Sequence, residues 1–368
     1  MIIESLGTAI PPHTLNLEDR FKVAELYVNG DDRDRWFVPM IFEKSTVKKR
    51  HCVFIHSEDG DIDQRQDFFQ PTEPESNPEG PTTGERMIAY EEHAPQLALS
   101  ACQDAFQRSR FDPSSITHLV TASCTGFTAP GMDVKLIEKL GMPASVERTH
   151  LGFMGCHAGQ NCLRVAAAFA RADPQAKVLV CATELCGLHY QYVAKNDQKV
   201  ANALFGDGSG AALLVGNEQD RKPNPAAWKV AGTGSFLIPE TQQMMSWKIR
   251  DHGFTMGLSD RIPETIKNHV PAWFDGWLRG YGLTRSEIRS WAVHPGGPQI
   301  LNAFEQAMNL SSTSLQIPRE VLQTHGNMSS ATIFFVLKKL NQIPDQLPCV
   351  AVGFGPGLTL EATLFLPA

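Results

Sequence analysis

Three residues in this sequence have the types and settings that acyl chemistry needs. Cys156 follows a glycine and heads the Ala-rich segment CHAGQNCLRVAAAFARA, a helix over 156–172 by composition. At a helix N-terminus the unpaired N–H groups and the macrodipole favour negative charge. A cysteine held there can have its pKa drawn from about 8.5 down to ~3.5–7.5, and the thiolate is the nucleophilic form. The following His157-Ala158-Gly159 leave room for a substrate close to the backbone. His294 ends the apolar run RSWAVH and leads into Pro295-Gly296-Gly297-Pro298. A strand end followed by a rigid turn is where ligand-facing groups sit in α/β sheets. Asn327 follows Gly326 at the head of a second apolar segment, NMSSATIFFVLKKL. Ser329 and Ser330 can cap that helix, which frees the Asn327 amide to point elsewhere.

A thiol, an imidazole and an amide suit two chemistries. One is thiol hydrolysis, and the order Cys, His, Asn fits the papain type. Against it, the papain signature around the cysteine is absent and Cys156 lies mid-chain. The other is acyl transfer from a thioester followed by attack of a carbon nucleophile. There the thiolate carries the acyl group, while His and Asn donate to the oxygen of a thioester enolate. An amide is no base, so an asparagine in such a site serves an oxyanion.

These residues sit at matching points of two similar halves. In the first half ITHLVTAS (116–123) reads as a strand, then come Gly155-Cys156 and the helix, the strand KVLVCAT (177–183), and FGDGSGAALLVG (205–216), a glycine turn into a strand. In the second half RSWAVH (289–294), Gly326-Asn327 with its helix, PCVAVGF (348–354) and FGPGLTLEATLFL (354–366) repeat that order. The step from Cys156 to Val178 nearly equals that from Asn327 to Val350. This is a duplicated αβ unit. Helices apolar nearly all round are buried on every side, so the two helices predict a central layer between two sheets. Two breaks rich in Pro, Gly and charge, 58–85 and 217–228, read as surface loops. The second divides the chain into residues 1–220, carrying Cys156, and 221–368, carrying His294 and Asn327.

Composition narrows the function. The chain has 368 residues, more than one core usually spans. It is 42% hydrophobic and 20% charged, as in an ordinary globular enzyme. A net charge of -7 supplies no global basic field for nucleic acid or anionic membrane. A polyanionic acyl-CoA therefore requires a local basic patch. No stretch approaches the roughly 18 apolar residues of a membrane span, so no membrane insertion is expected. None of the eight cysteines forms a CxxC pair, which disfavours a zinc or redox site and predicts buried free thiols in a reducing cytoplasm.

Five blocks in order carry a more specific signal: LGFMGCHAGQNCLR, LFGDGSGAALLVG, WAVHPGGPQIL, THGNMSSATIFF and VGFGPGLTLE. With EKSTVKKR (43–50) and SCTGFTAPGMD (123–133), the chain resembles the type III polyketide synthases, the chalcone synthase family, in its bacterial form. The resemblance implies a thiolase-like αβαβα fold and a homodimer. It implies that Cys156 carries the acyl group and that His294 and Asn327 promote decarboxylation of malonyl-CoA. It implies that Phe205 guards the mouth of the site and that Gly353, Phe354, Gly355, Pro356 and Gly357 shape the cavity where the chain cyclises. Cys124, His189 and Met256 stand at cavity positions, and Ala129 stands where plant members carry a Met. Of the basic CoA-binding positions in plant members only Lys44 is matched; Met40 and Phe37 occupy the others, with Lys48, Lys49 and Arg50 nearby. The expected substrates are an acyl-CoA starter and malonyl-CoA, with no metal and no bound organic cofactor. The expected product is a pyrone, a resorcinol or a related phenolic. A ketoacyl-ACP synthase III-like enzyme, which stops after one condensation, shares the three residues, and HPGGP and GFGPG favour the polyketide reading.

Overall fold

The short unbroken apolar runs form strands buried on both faces, because helices cover each side of the sheet. The computed structural model describes residues 1–27, 32–71, 79–192, 195–216 and 227–368. The first half contains β1 (Ile2–Ala9), β2 (Thr14–Asn16), α1 (Leu17–Tyr27), α2 (Asp32–Lys44), β3 (Lys49–His51) and α3 (Thr83–Gln107). It continues with β4 (His118–Ser123), α4 (Met132–Leu140), β5 (Glu147–Gly152), α5 (Ala158–Ala172), β6 (Lys177–Leu185), α6 (Asn196–Leu204) and β7 (Asp207–Val215). The second half contains β8 (Trp228–Leu237), β9 (Met245–Arg250), β10 (Gly253–Leu258), α7 (Ile262–Arg279), β11 (Ser290–Val293) and α8 (Pro298–Met308). It ends with α9 (Gln316–His325), α10 (Thr332–Asn341), β12 (Cys349–Gly355) and β13 (Thr359–Pro367).

The duplication is visible in the pairing. β4 is parallel to β6, β6 antiparallel to β7, and β7 antiparallel to β1. In the same sense β11 is parallel to β12, β12 antiparallel to β13, and β13 antiparallel to β8. Only the first half adds an outer strand, β5, parallel to β4. The two sheets expected are fused: Ile2 of β1 pairs with Lys229 of β8, giving one nine-stranded order β11-β12-β13-β8-β1-β7-β6-β4-β5. Between the halves lie α5 and α10. α5 packs on β4 and β6 of its own half and on β12 and β13 of the other; α10 packs on β11 and on β1 and β7. Their shared core includes Leu163 and Ala166 of α5, Ile333 and Phe334 of α10, and Val180 and Ala351 of the sheet, all fully buried. Each half therefore completes the other's core.

Local starts differ from expectation at three points. The loop expected over 58–85 ends early, since Thr82 and Glu85 form a reciprocal capping box that starts α3; residues 72–78 of that stretch lie outside the described residues. α5 begins at Ala158 and not at Cys156. The second helix begins as a 3-10 turn at Ser329–Ala331 before α10. The division at 220/221 also lies outside the described residues. Among the described residues no helix is long and apolar enough to cross a membrane.

Candidate active site

Cys156 and Asn327 occupy equivalent points, each two residues before its helical start. Cys156 lies in a tight turn closed by the Ala158 N–H on the Gly155 carbonyl at 3.0 Å. That turn needs glycine at 155: φ is +86°, and a Cβ there would sit 2.4 Å from Pro356 Cδ. The thiol is buried, and burial pushes its pKa up to about 11. Hydrogen bonds with the Ser329 and Asn327 side chains pull it down, and the Glu184 carboxylate opposes ionisation. Burial is the largest influence on this thiol, and it acts against the acidic character expected at a helix start.

Asn327 is held from both sides. Its N–H donates to the Leu204 carbonyl at 2.8 Å and its carbonyl accepts from Gly206 at 3.1 Å, so Phe205 and Asn327 form a lone parallel bridge. Its side-chain Oδ1 accepts the Ser329 N–H at 2.9 Å, which turns Nδ2 towards the Gly296 carbonyl, 3.4 Å away. The serines do not cap the helix as expected. Ser329 Oγ lies 3.1 Å from Cys124 Sγ, and Ser330 Oγ donates to Glu184. Asn327 itself supplies the turn's acceptor and still presents its amide N–H groups to the site.

His294 closes β11, its N–H on the Val352 carbonyl at 2.7 Å. The ring is 1% exposed and neither ring nitrogen has a protein partner. Burial, with the nearby charge of His157 added, lowers its pKa to about 3.

A cavity opens on Cys156. Of the residues singled out in the sequence, Cys124, Phe205, Met256 and Pro356 line it. Thr125, Gly155, Cys186, Met245, Trp247 and Ser329 complete the lining. Trp247 is fixed by its indole N–H on the Cys124 carbonyl at 2.7 Å. A second cavity shares only Cys186, Phe205 and Trp247 with the first. His189 belongs to this second space and not to the cavity on Cys156. It stacks on Phe254 at 4.1 Å, lies 2.6 Å by Nε2 from the Thr125 carbonyl and accepts the Phe254 N–H at Nδ1. Burial depresses it to about 3, so it stands there as a neutral strut. Of the five residues from Gly353 to Gly357 only Pro356 reaches the cavity. Gly353, Phe354 and Gly355 lie within β12, and the turn to β13 follows.

Glu184 was not visible as a site residue beforehand. It is fully buried beneath the cavity and accepts from the Cys124 N–H at 2.9 Å and Thr125 Oγ1 at 2.7 Å. Burial raises its pKa. A carboxylate inside the apolar run VLVCATEL was its only sequence signal. Among the basic residues Lys44, Lys48 and Lys49 are exposed, whereas Arg50 is buried and donates to the Asn202 and Phe205 carbonyls. Arg50 thus holds the Phe205 backbone and is not part of a solvated basic run.

Comparison with known proteins agrees along the whole chain. Residues 1–219 match the family model described as chalcone and stilbene synthases, N-terminal domain, and residues 230–367 match the C-terminal domain. The alpha-pyrone synthesis polyketide synthase-like Pks18 of Mycobacterium tuberculosis is 31% identical over 99% of this chain and 90% of its own length. The structure of PKS-I from the brown alga Ectocarpus siliculosus superposes with a TM-score of 0.90 at 26% identity, covering 100% of this chain and 98% of that one. The 1,3,6,8-tetrahydroxynaphthalene synthase of Streptomyces coelicolor, a bacterial type III polyketide synthase, gives 0.86 at 25% identity, covering 100% and 99%.

Proposed function

Because the chain belongs to the chalcone and stilbene synthase family, the type III polyketide synthases, we propose that Cys156, His294 and Asn327 carry out repeated decarboxylative condensation of malonyl-CoA on an acyl-CoA starter. The starter's carbonyl takes the Cys156 sulfur while neutral His294 accepts the thiol proton. Burial keeps the imidazole unprotonated but also makes it a weak base, so the proton is passed straight on to the departing CoA sulfur and is not stored on the ring. Malonyl-CoA then loses carbon dioxide, and the enolate oxygen is held by the Asn327 amide and His294. Its carbon attacks the cysteine-bound thioester; extension repeats, and the chain cyclises. The observation that carries this reading is the Asn327 side chain, whose Oδ1 accepts the Ser329 N–H at 2.9 Å, which leaves Nδ2 as the donor and favours the Cys156 thiolate.

CoA thioesters are the substrates, and no metal or bound organic cofactor enters the scheme. Lys44, with exposed Lys48 and Lys49, supplies the charge that meets CoA phosphates. Phe205 stands at the mouth beside Trp247, with ring centroids 6.3 Å apart. The working form is a cytoplasmic homodimer. Its support is the outer strand β5, unpaired on one edge, beside exposed Phe127, Phe153 and Met154. Sedimentation should give twice the 40.6 kDa of one chain; a monomer at micromolar concentration would refute the dimer.

The mostly apolar lining suits a pyrone, resorcinol or related phenolic built on an aliphatic starter. Incubation with malonyl-CoA and a ladder of acyl-CoAs, followed by mass spectrometry, tests the function. Cyclised multi-ketides support it, a single ketide points to a ketoacyl synthase III-like enzyme, and free acid alone to a hydrolase. Met256→Phe should shorten the longest accepted starter or the chain built on it, because a ring inserted into a filled pocket overpacks it at about 1–3 kcal/mol. Total turnover should survive. An unchanged product profile would remove Met256 from the specificity pocket.

A further inference from the structure

α5 is apolar towards its own sheet, yet it turns His157, Gln160, Asn161 and Arg164 towards the other half. Those positions fall at i, i+3, i+4 and i+7, one helical face. His157, Gln160 and Asn161 are each at most 2% exposed. Opposite them β12 has glycines. A Cβ at Gly355 would sit 2.2 Å from His157 Cδ2, and one at Gly353 would sit 2.8 Å from Gln160 Nε2. The strand thus gives its side-chain space to the polar groups.

Several buried atoms of this seam have no protein partner: Gln160 Oε1 and Nε2, Asn161 Nδ2, Thr363 Oγ1 and both nitrogens of His294. Each such atom costs about 1–3 kcal/mol if left unpaired, and native interiors satisfy such groups with ordered water. The outer end reaches solvent at Arg164, whose side chain is 37% exposed and lies 2.6 Å from Glu361 Oε2. Ser235 Oγ donates to the other Glu361 oxygen at 2.8 Å. The inner end is His157. Its Nδ1 donates to Asn161 Oδ1 at 2.8 Å, which leaves Nε2 to take up a proton. Burial lowers the His157 pKa, Glu361 from β13 raises it and Arg164 from α5 lowers it, and the charge of His157 in turn lowers that of His294 at the end of β11.

The condensation needs such a route. One extension converts an acyl-CoA, a malonyl-CoA carboxylate and one proton into a β-ketoacyl-CoA, a CoA thiol and carbon dioxide. A carbon–carbon bond forms to the starter carbonyl as the bond to the carboxyl carbon breaks. The thioester bond to the departing CoA also breaks, and nothing is oxidised or reduced. The carboxylate leaves without a proton, so the one that ends on CoA sulfur comes from solvent, once per extension, into a buried site. We propose that the polar seam between α5 and β12–β13 supplies this proton, with His157 recharging His294 after each condensation; the proposal rests on the roles given above to Cys156 and His294. His157 acts through His294 and touches no substrate in this scheme.

The test compares wild type with His157→Phe, His157→Gln and, should those fold poorly, Gln160→Leu. Starter loading on Cys156, read by intact mass, takes up no net proton and should be unchanged in all of them. The kcat for extension should match wild type at pH 6 and fall about tenfold per pH unit above 7, with the KM for malonyl-CoA held within about twofold. Added imidazole should restore it. Wild-type kcat should stay level over the same range. An unchanged kcat would overturn the proposal, and so would a loss equal at every pH and not rescued by imidazole, since packing alone would then account for the seam. Failure of wild type to load starter would instead sink the reading of Cys156 and leave the seam to be judged separately.

Discussion

Cys156→Ala is expected to abolish both the acyl adduct and every condensation product, while Cys124→Ala keeps the adduct. Eight cysteines are buried, so burial does not single out the nucleophile. What separates these two is their company. Ser329 favours both thiolates and Glu184 opposes both, but Cys156 alone of the two also has the Asn327 side chain favouring its thiolate. Cys124 Sγ lies 3.3 Å from Glu184 Oε1, and after burial that carboxylate is the largest influence raising its pKa. A thiolate beside a carboxylate is penalised twice, by desolvation and by like charge. The measurement is intact-mass analysis after incubation with acyl-CoA, and an adduct surviving on Cys156→Ala would sink the assignment.

Asn327→Ala should load starter normally and yet release carbon dioxide from malonyl-CoA ~10²–10³ times more slowly, the usual cost of one lost oxyanion donor. The separation is expected because loading needs the Cys156 sulfur and a base, whereas decarboxylation needs the enolate oxygen held. The substitution also leaves the Ser329 N–H without its Oδ1 acceptor. Asn327→Asp keeps that acceptor but offers no N–H, so it should lose decarboxylation while holding the fold, which isolates the donor. Carbon dioxide release at the wild-type rate from either variant would refute the role.

Much of this site was legible in the sequence because duplication places residues without side-chain detail. Gly155-Cys156 and Gly326-Asn327 head equivalent helices, so their meeting follows from the repeat. The apolar runs around Val120, Val180, Ala292 and Ala351 read directly as strands. What stayed hidden depends on direction. His189 and Cys124 look alike as motif positions, yet one faces the cavity on Cys156 and the other is pinned behind Trp247. Arg50 ends a run of charges that reads as solvated, but it alone turns inward, at 3% exposed. The serines after Asn327 resemble caps, and only the fold shows their hydroxyls reaching Cys124 and Glu184 instead. A helix terminus is written in sequence order, whereas the burial that acts on the Cys156 thiol comes from residues far along the chain.

The place of β1 in the sheet has a consequence for synthesis on the ribosome. Ile2–Ala9 is made before every other described strand, but in the finished sheet it lies between β7 and β8. Its partner β7 begins at Asp207, and the roughly 200 residues between them take on the order of 10–40 s to translate at ~5–20 residues per second. Throughout that interval a strand rich in apolar side chains emerges with both hydrogen-bonding edges open. Yield from fast, crowded expression should therefore fall before the stability of the folded enzyme does.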